Sequence, residues 1–465
     1  MTKKAFLNDE EIQKFLAEDD DLIDSDEDDC AIGELETDLG ELSDEENSSE
    51  GVSSDEDDIP LNVLLEKSNI ITFSKTILRG KNRHMWSTQK ARSYRYGQNI
   101  VHQVRGPTRL CKNIVDPIQV FRLFITDAII KEIVEWTNVE ISTRSCINST
   151  EAAQRKETNN EEIEALIGML ALTAAMKDNH LTSTELFDPS CSGSKYLSIM
   201  THNRFRFLMS CLRFDDKSVR IHLTADKLAP IRKAWDIFIQ KCRENYTPGP
   251  YMTIDEQLIS FRGRCGFKMY IPNKPSNYGL KVVMMCDSGT KYMVDAKPYL
   301  GKGSINSNLP LAENYVKELT KSIYGTNRNV TMDNWFTSVS LAKSLLKEPH
   351  KLTLVGTLRS NKREIPPEMK VSKGRKCGTS IFAYDNELTL LSYKPKPNKI
   401  IYLLSSCNEI GTVNNTTKKP HMIEFYNSTK GGVDTFDQMC SVMSCARKPT
   451  AGQWQHFLVY SIWLI

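Results

Sequence analysis

Pro248-Gly249-Pro250 divides this sequence into two stretches whose apolar residues repeat with different periods. A helix buries one face every 3.6 residues and a strand every second residue, so one pattern cannot serve as the other. Before the division the period is helical. Thr126 is placed to cap DAIIKEIVEWTN, which sets Ile129, Ile130, Ile133 and Val134 on one face, and Thr158 with Glu161 makes a capping-box pattern ahead of EEIEALIGMLALTAA. NRFRFLMSCLRF and APIRKAWDIFIQKCREN, with Pro230 near its first turn, supply two more helices. Residues 110–250 are therefore expected to form a mainly helical domain.

After the division the expected order is strand 252–261, strand 281–286, strand 291–299, helix AENYVKELTKSI, strand 329–332, helix SVSLAKSLLKE and strand 351–358. Three strands, a helix, a strand, a helix and a strand make an α/β layer of ribonuclease-H type. Residues 360–420, rich in Lys and Pro with short apolar runs SIFAY, LTLLSY and IIYLLS, read as a β-rich insertion.

Charge is divided as sharply as period. The formal net charge of +1 averages 24 Asp/Glu against 3 Lys/Arg in residues 1–60 with 57 Lys/Arg against 35 Asp/Glu in the rest. The acidic stretch is too charged and too poor in aromatics to offset chain entropy, so residues 1–74 are expected to be a disordered acidic tail. A basic arm at 75–109 follows, part of a run from Lys75 to Lys112 that carries Lys75, Arg79, Lys81, Arg83, Lys90, Arg92, Arg95, Arg105, Arg109 and Lys112 and no acid. Trp86, Tyr94 and Tyr96 lie among them, and cations interleaved with rings suit a nucleic acid, with Arg83, Arg92 and Arg95 as candidate contacts. The ordinary alternative is a linker folded back on the acidic tail.

Other chemistries find little support. No GxxxxGK[ST] or GxGxxG precedes a helix, no HExxH or GxSxG occurs, and the eight histidines include no i,i+4 pair. The 12 cysteines include no CxxC, so neither disulfides nor zinc is expected, and no apolar run approaches the roughly 18–20 residues that span a bilayer.

Phosphoryl transfer with two metal ions needs carboxylates converging from separate elements. Asp255 stands inside the apolar strand TIDEQ, where alternation sends Asp255 and Glu256 to opposite faces. Asp333 ends the strand NVTM, and Asp434 lies in the first turn of the helix VDTFDQMCSVM with Asp437 one turn on. Each has a local alternative: Asp333 as a helix cap, Asp434 as a charge favoured by the helix dipole. Spacing alone does not choose among them.

The runs MTIDEQLISFRGRCGFKMYIPNKPSNYGLKVVMMCDSGTKYMVDAKPYLGKG, NVTMDNWFTSVSLAKSLL, LVGTLRSNKREIP, SYKPKPNK and YNSTKGGVDTFDQMCSVM closely resemble the piggyBac transposases of insects. The resemblance covers residues 107–445 in order. It implies a DDE-type DNA transposase with a ribonuclease-H-like catalytic domain at 251–359 and 421–445, interrupted by the β-rich insertion at 360–420. Residues 110–250, with a truncated helical segment at 446–465, would form a dimerisation and DNA-binding domain. Asp255, Asp333 and Asp434 then correspond to the family's metal-binding aspartates, Asp437 to a supporting acid, and Arg359 and Lys362 to DNA contacts, with ordinary surface charge as the alternative for the last two. The implied reaction is cut-and-paste at two Mg²⁺ ions: hydrolysis at the transposon 3′ ends, hairpin formation and joining at TTAA targets. A homodimer in the nucleus acting on double-stranded DNA is implied as well. Beyond Cys445 the family pattern weakens, which leaves a second reading: a catalytically impaired transposon-derived protein that binds DNA or regulates a full-length transposase.

Overall fold

The computed structural model describes residues 69–90, 101, 103–145, 156–224, 226–261, 265–272, 277–301, 309–407 and 411–445. The helical half contains α1 (Pro117–Phe124), α2 (Asp127–Ser145), α3 (Asn160–Ala175), α4 (His202–Cys211) and α5 (Arg232–Asn245). Their apolar stripes share one core, in which Ile129, Ile130 and Ile133 meet Ile163, Leu166, Leu208, Trp235 and Phe238. Two expected caps are built differently. The Thr126 hydroxyl has no hydrogen-bond partner, and α3 is capped by Asn159, whose side chain accepts from Glu162 N at 2.9 Å. Thr158 instead donates its hydroxyl to the Glu162 carboxylate at 2.6 Å, one residue on from the expected box.

The strands are β1 (Ile77–Arg79), β2 (Met85–Ser87), β3 (Gly106–Pro107), β4 (Tyr246–Thr247), β5 (Tyr251–Ser260), β6 (Lys268–Tyr270), β7 (Tyr278–Asp287), β8 (Met293–Pro298), β9 (Asn329–Met332), β10 (Thr353–Leu358), β11 (Thr379–Tyr384), β12 (Thr389–Lys396) and β13 (Lys399–Ser405). Apart from the β3–β4 pair they form one mixed sheet of order β1-β2-β11-β12-β13-β10-β9-β5-β7-β6, with β8 also on β7. β9 lies parallel between β5 and β10, whereas β7 is antiparallel to both β5 and β8. The strands of the 360–420 block extend this same sheet, because β13 pairs with β10 from Val355↔Ser405 to Leu358↔Tyr402. The β1–β2 hairpin borders them, and buried Trp86 donates its indole N–H to Glu364 O at 2.9 Å.

Alternation along β7 assigns the two faces. Val282, Met284 and Cys286 join the helical core, while Val283 and Met285 join a second core under α6 (Leu311–Leu319) and α7 (Val339–Leu346). The Pro248-Gly249-Pro250 link is fastened to the sheet: Arg328, 2% exposed, donates to the Pro248 and Gly249 carbonyls, and Asp287 accepts from Gly249 N at 2.6 Å. After the sheet, α8 (His421–Lys430) and α9 (Gly432–Val442) return across β5. Gly432 permits that approach, since a Cβ there would meet the Thr253 side chain.

Gly356 on β10 faces Met332, the last residue of β9, in the parallel register. A Cβ at Gly356 would lie 2.8 Å from Met332 O and would strike the Thr337 side chain. Gly356→Ala is expected to destabilise the chain by about 1–3 kcal/mol in denaturant unfolding; an unchanged midpoint would show that the approach is not fixed.

Candidate active site

The β5–β9 pairing runs in parallel register from Tyr251↔Asn329 to Ile254↔Met332 and stops there. One residue further on, Asp255 and Asp333 stand across from each other at the end of β9. The chain turns sharply after Met332. Asp333 Oδ1 accepts from Trp335 N at 3.0 Å and Phe336 N at 3.4 Å, and its carbonyl accepts from the Thr337 hydroxyl at 2.7 Å. Part of the capping alternative for Asp333 is thus realised by one oxygen. Asp255 Oδ1 accepts from Glu256 N at 2.8 Å.

Carboxylate oxygens of Asp255, Glu256 and Asp333 lie within 4.8 Å of one another, close enough to share one cation. Strand alternation separates Asp255 from Glu256, yet both reach the space beyond the end of β9. Glu256 Oε2 is buried without a hydrogen-bond partner and lies 4.0 Å from Lys281 Nζ. Burial, and then the neighbouring Glu256 charge, push the Asp333 carboxyl from its ordinary 3.8 up to about 7. The turn N–H groups of Trp335 and Phe336 and the Lys281 ammonium pull the other way.

The other residues singled out in the sequence are placed around this trio. Asp434 is exposed in the first turn of α9 and is not one of the three clustered acids. Its helix nevertheless runs beside the Asp255 stretch of β5: Gly432 packs on Thr253, and buried Gln257 donates its side-chain amide to Asp437 Oδ1. Arg359 is exposed, and its Nε donates at 3.1 Å to Asn334, next to Asp333. Half-buried Lys362 follows in the same loop, its N–H bonded to Arg359 O at 3.1 Å. Arg83 is exposed in the β1–β2 turn, which touches that loop through Asn82 N to Arg363 O at 3.3 Å. Arg92 and Arg95 lie outside the described residues. Glu256 is the acid that sequence reading passed over. The signal available was its position beside Asp255, which mattered only once the length of β9 was known.

The family described as "Transposase IS4" matches residues 116–464. A solved structure titled "Cryo-EM structure of piggyBac transposase synaptic complex with hairpin DNA" is 56% identical and superposes with a TM-score of 0.75, over 78% of this chain and 75% of that one. The chain belongs to the piggyBac transposase family. Two human relatives, the piggyBac transposable element-derived protein 3 and the chimeric ERCC6-PGBD3 protein, are each 23% identical over 69% of this chain. The chain spans 55% and 31% of their respective lengths. Among the described residues no helix is long and apolar enough to cross a membrane.

A raised carboxyl pKa favours the folded state at low pH, because the folded chain holds that proton more tightly than the unfolded chain does. Metal-free protein should therefore lose stability as pH rises from the unfolded value of 3.8 through about 7. Thermal unfolding in chelator across that range should show the decline in the parent and a flatter profile in Asp333→Asn. Parallel profiles would refute the burial argument.

Proposed function

We propose that this piggyBac-family chain is a DDE-type DNA transposase that cleaves and joins DNA at an acid site on β5 and β9. The observation that carries the reading is the convergence of Asp255, Glu256 and Asp333 at the end of β9, within 4.8 Å. A ribonuclease-H-like arrangement is supported by the strand order β8-β7-β5-β9-β10, with α6 and α7 in the two connections flanking β9. The proposed domains keep their sequence boundaries: catalytic halves at 251–359 and 421–445, the insertion at 360–420, and helical DNA-binding and dimerisation parts at 110–250 and 446–465.

Three clustered carboxylates fit a hard divalent cation, which prefers oxygen ligands, and the buried Glu256 Oε2, which accepts no hydrogen bond, is an acceptor for such an ion. Asp255, Asp333 and Glu256 would hold Mg²⁺, with Asp434 carried nearby on α9 as the family's further aspartate and Asp437 supporting it from the next turn. Bound there, Mg²⁺ supplies Lewis-acid stabilisation of charge developing on an attacked phosphate. The chain's own part is positioning. The Asp333 turn fixes one carboxylate against β5, and Arg359, Lys362 and Arg83 form a basic border on which DNA phosphates can rest. Cut-and-paste reaction at TTAA sites, a homodimer and a nuclear location follow from the same reading. The hairpin DNA in the solved relative's title supports DNA as the partner.

A strand-cleavage and joining assay on a duplex carrying a transposon end beside TTAA tests the proposal. Mg²⁺-dependent products are expected from the parent, with losses of about a thousandfold or more in Asp255→Asn and Asp333→Asn. Salt-sensitive binding without cleavage would overturn the enzymatic reading and favour a regulatory DNA-binding protein.

A further inference from the structure

Lys281 lies on β7 opposite Leu258 of β5 and is only 8% exposed. A lysine is rarely so buried without a partner that answers its charge. Its Nζ is 4.0 Å from Glu256 Oε2, beyond hydrogen-bond reach, and 4.2 Å from the centre of the Trp335 ring. Glu256 Oε2 is itself buried with no hydrogen-bond partner. Two opposite charges thus face each other across a gap, each held from behind: Glu256 by β5, and Lys281 by the indole face. Trp335 belongs to the turn that Asp333 caps, so the ring steadying the ammonium is attached to the segment that brings the third carboxylate.

We propose that Lys281 is a built-in counter-ion of the Asp255, Glu256 and Asp333 cluster, a positioning residue whose charge offsets that of the acids before a metal arrives and opposes metal entry. This rests on the reading that those carboxylates bind a divalent cation. Three acids in one small space repel one another, and one buried ammonium beside them offsets part of that repulsion. The same positive charge raises the concentration of divalent ion needed to fill the site. Removing it should tighten metal binding, whereas loss of a merely structural lysine would weaken binding or leave it unchanged.

Mn²⁺ binding to the full chain without DNA, followed by electron paramagnetic resonance at constant ionic strength, reads this directly. Lys281→Met should bind Mn²⁺ about tenfold more tightly than the parent, and Lys281→Arg should match the parent. If Lys281→Met does not fold, Lys281→Gln carries the same expectation. Asp333→Asn should bind poorly. Equal or weaker binding in the charge-removing variants, with binding still lost in Asp333→Asn, would overturn the role of Lys281 while leaving the metal site standing. A parent that binds no Mn²⁺, or an Asp333→Asn variant that binds as well as the parent, would overturn both.

Discussion

The parallel pairing of β5 with β9 is the constraint on which the site depends. It stops at Ile254↔Met332, so the next residue on each strand is an aspartate beyond that ladder, Asp333 in the turn after β9 and Asp255 still paired with Met284 of β7. A slip of one residue would turn every side chain of β9 to the other face and carry Asp333 away from Asp255. Several contacts oppose such a slip. Buried Thr331 meets the Thr429 hydroxyl at 2.8 Å, Thr253 donates to the Thr429 carbonyl at 2.6 Å, and Gly356 leaves β10 room to press on the end of β9. The helix α8 thereby gauges the alignment of both strands that carry the acids.

The electrostatics follow from that geometry. Burial and, after it, the neighbouring Glu256 charge raise the cost of ionising Asp333. The compensation is local: two turn N–H groups on Asp333, one backbone N–H on Asp255, and the Lys281 ammonium near Glu256. The basic loop at Arg359 stands alongside, joined through Asn334 to the same turn. The turn after β9 thus touches both groups, through Asp333 beside Asp255 and Glu256 and through Asn334 bonded to Arg359.

Much of the fold could be read from period alone. The strand NVTM has the expected bounds, since the short run between a Gly-Thr-Asn-Arg turn and an Asp-Asn turn leaves little freedom. The helices of residues 127–145 and 160–175 are likewise where their apolar stripes put them, although their caps differ by what tertiary contacts claim: Thr158 turns to the Glu162 carboxylate, which Arg204 also grips at 2.6 Å. Periodicity marked the strands of the 360–420 block but not their neighbours. That β13 pairs with β10 is a long-range fact without a local signature. The same limit hid Glu256. Alternation holds along β5, which pairs with β7 through both Asp255 and Glu256, yet the two carboxylates reach round to Asp333 where β9 ends beside them.

On the reading proposed above, Asp255, Glu256 and Asp333 form one cation site because β9 ends where it does. A crystal structure of the chain grown with Mn²⁺, located by its anomalous scattering, tests this most directly. The expected result is an ion bound by carboxylate oxygens of Asp255 and Asp333, with Glu256 turned toward it. An ion bound elsewhere, or a trio that stays bare at saturating Mn²⁺, would contradict it.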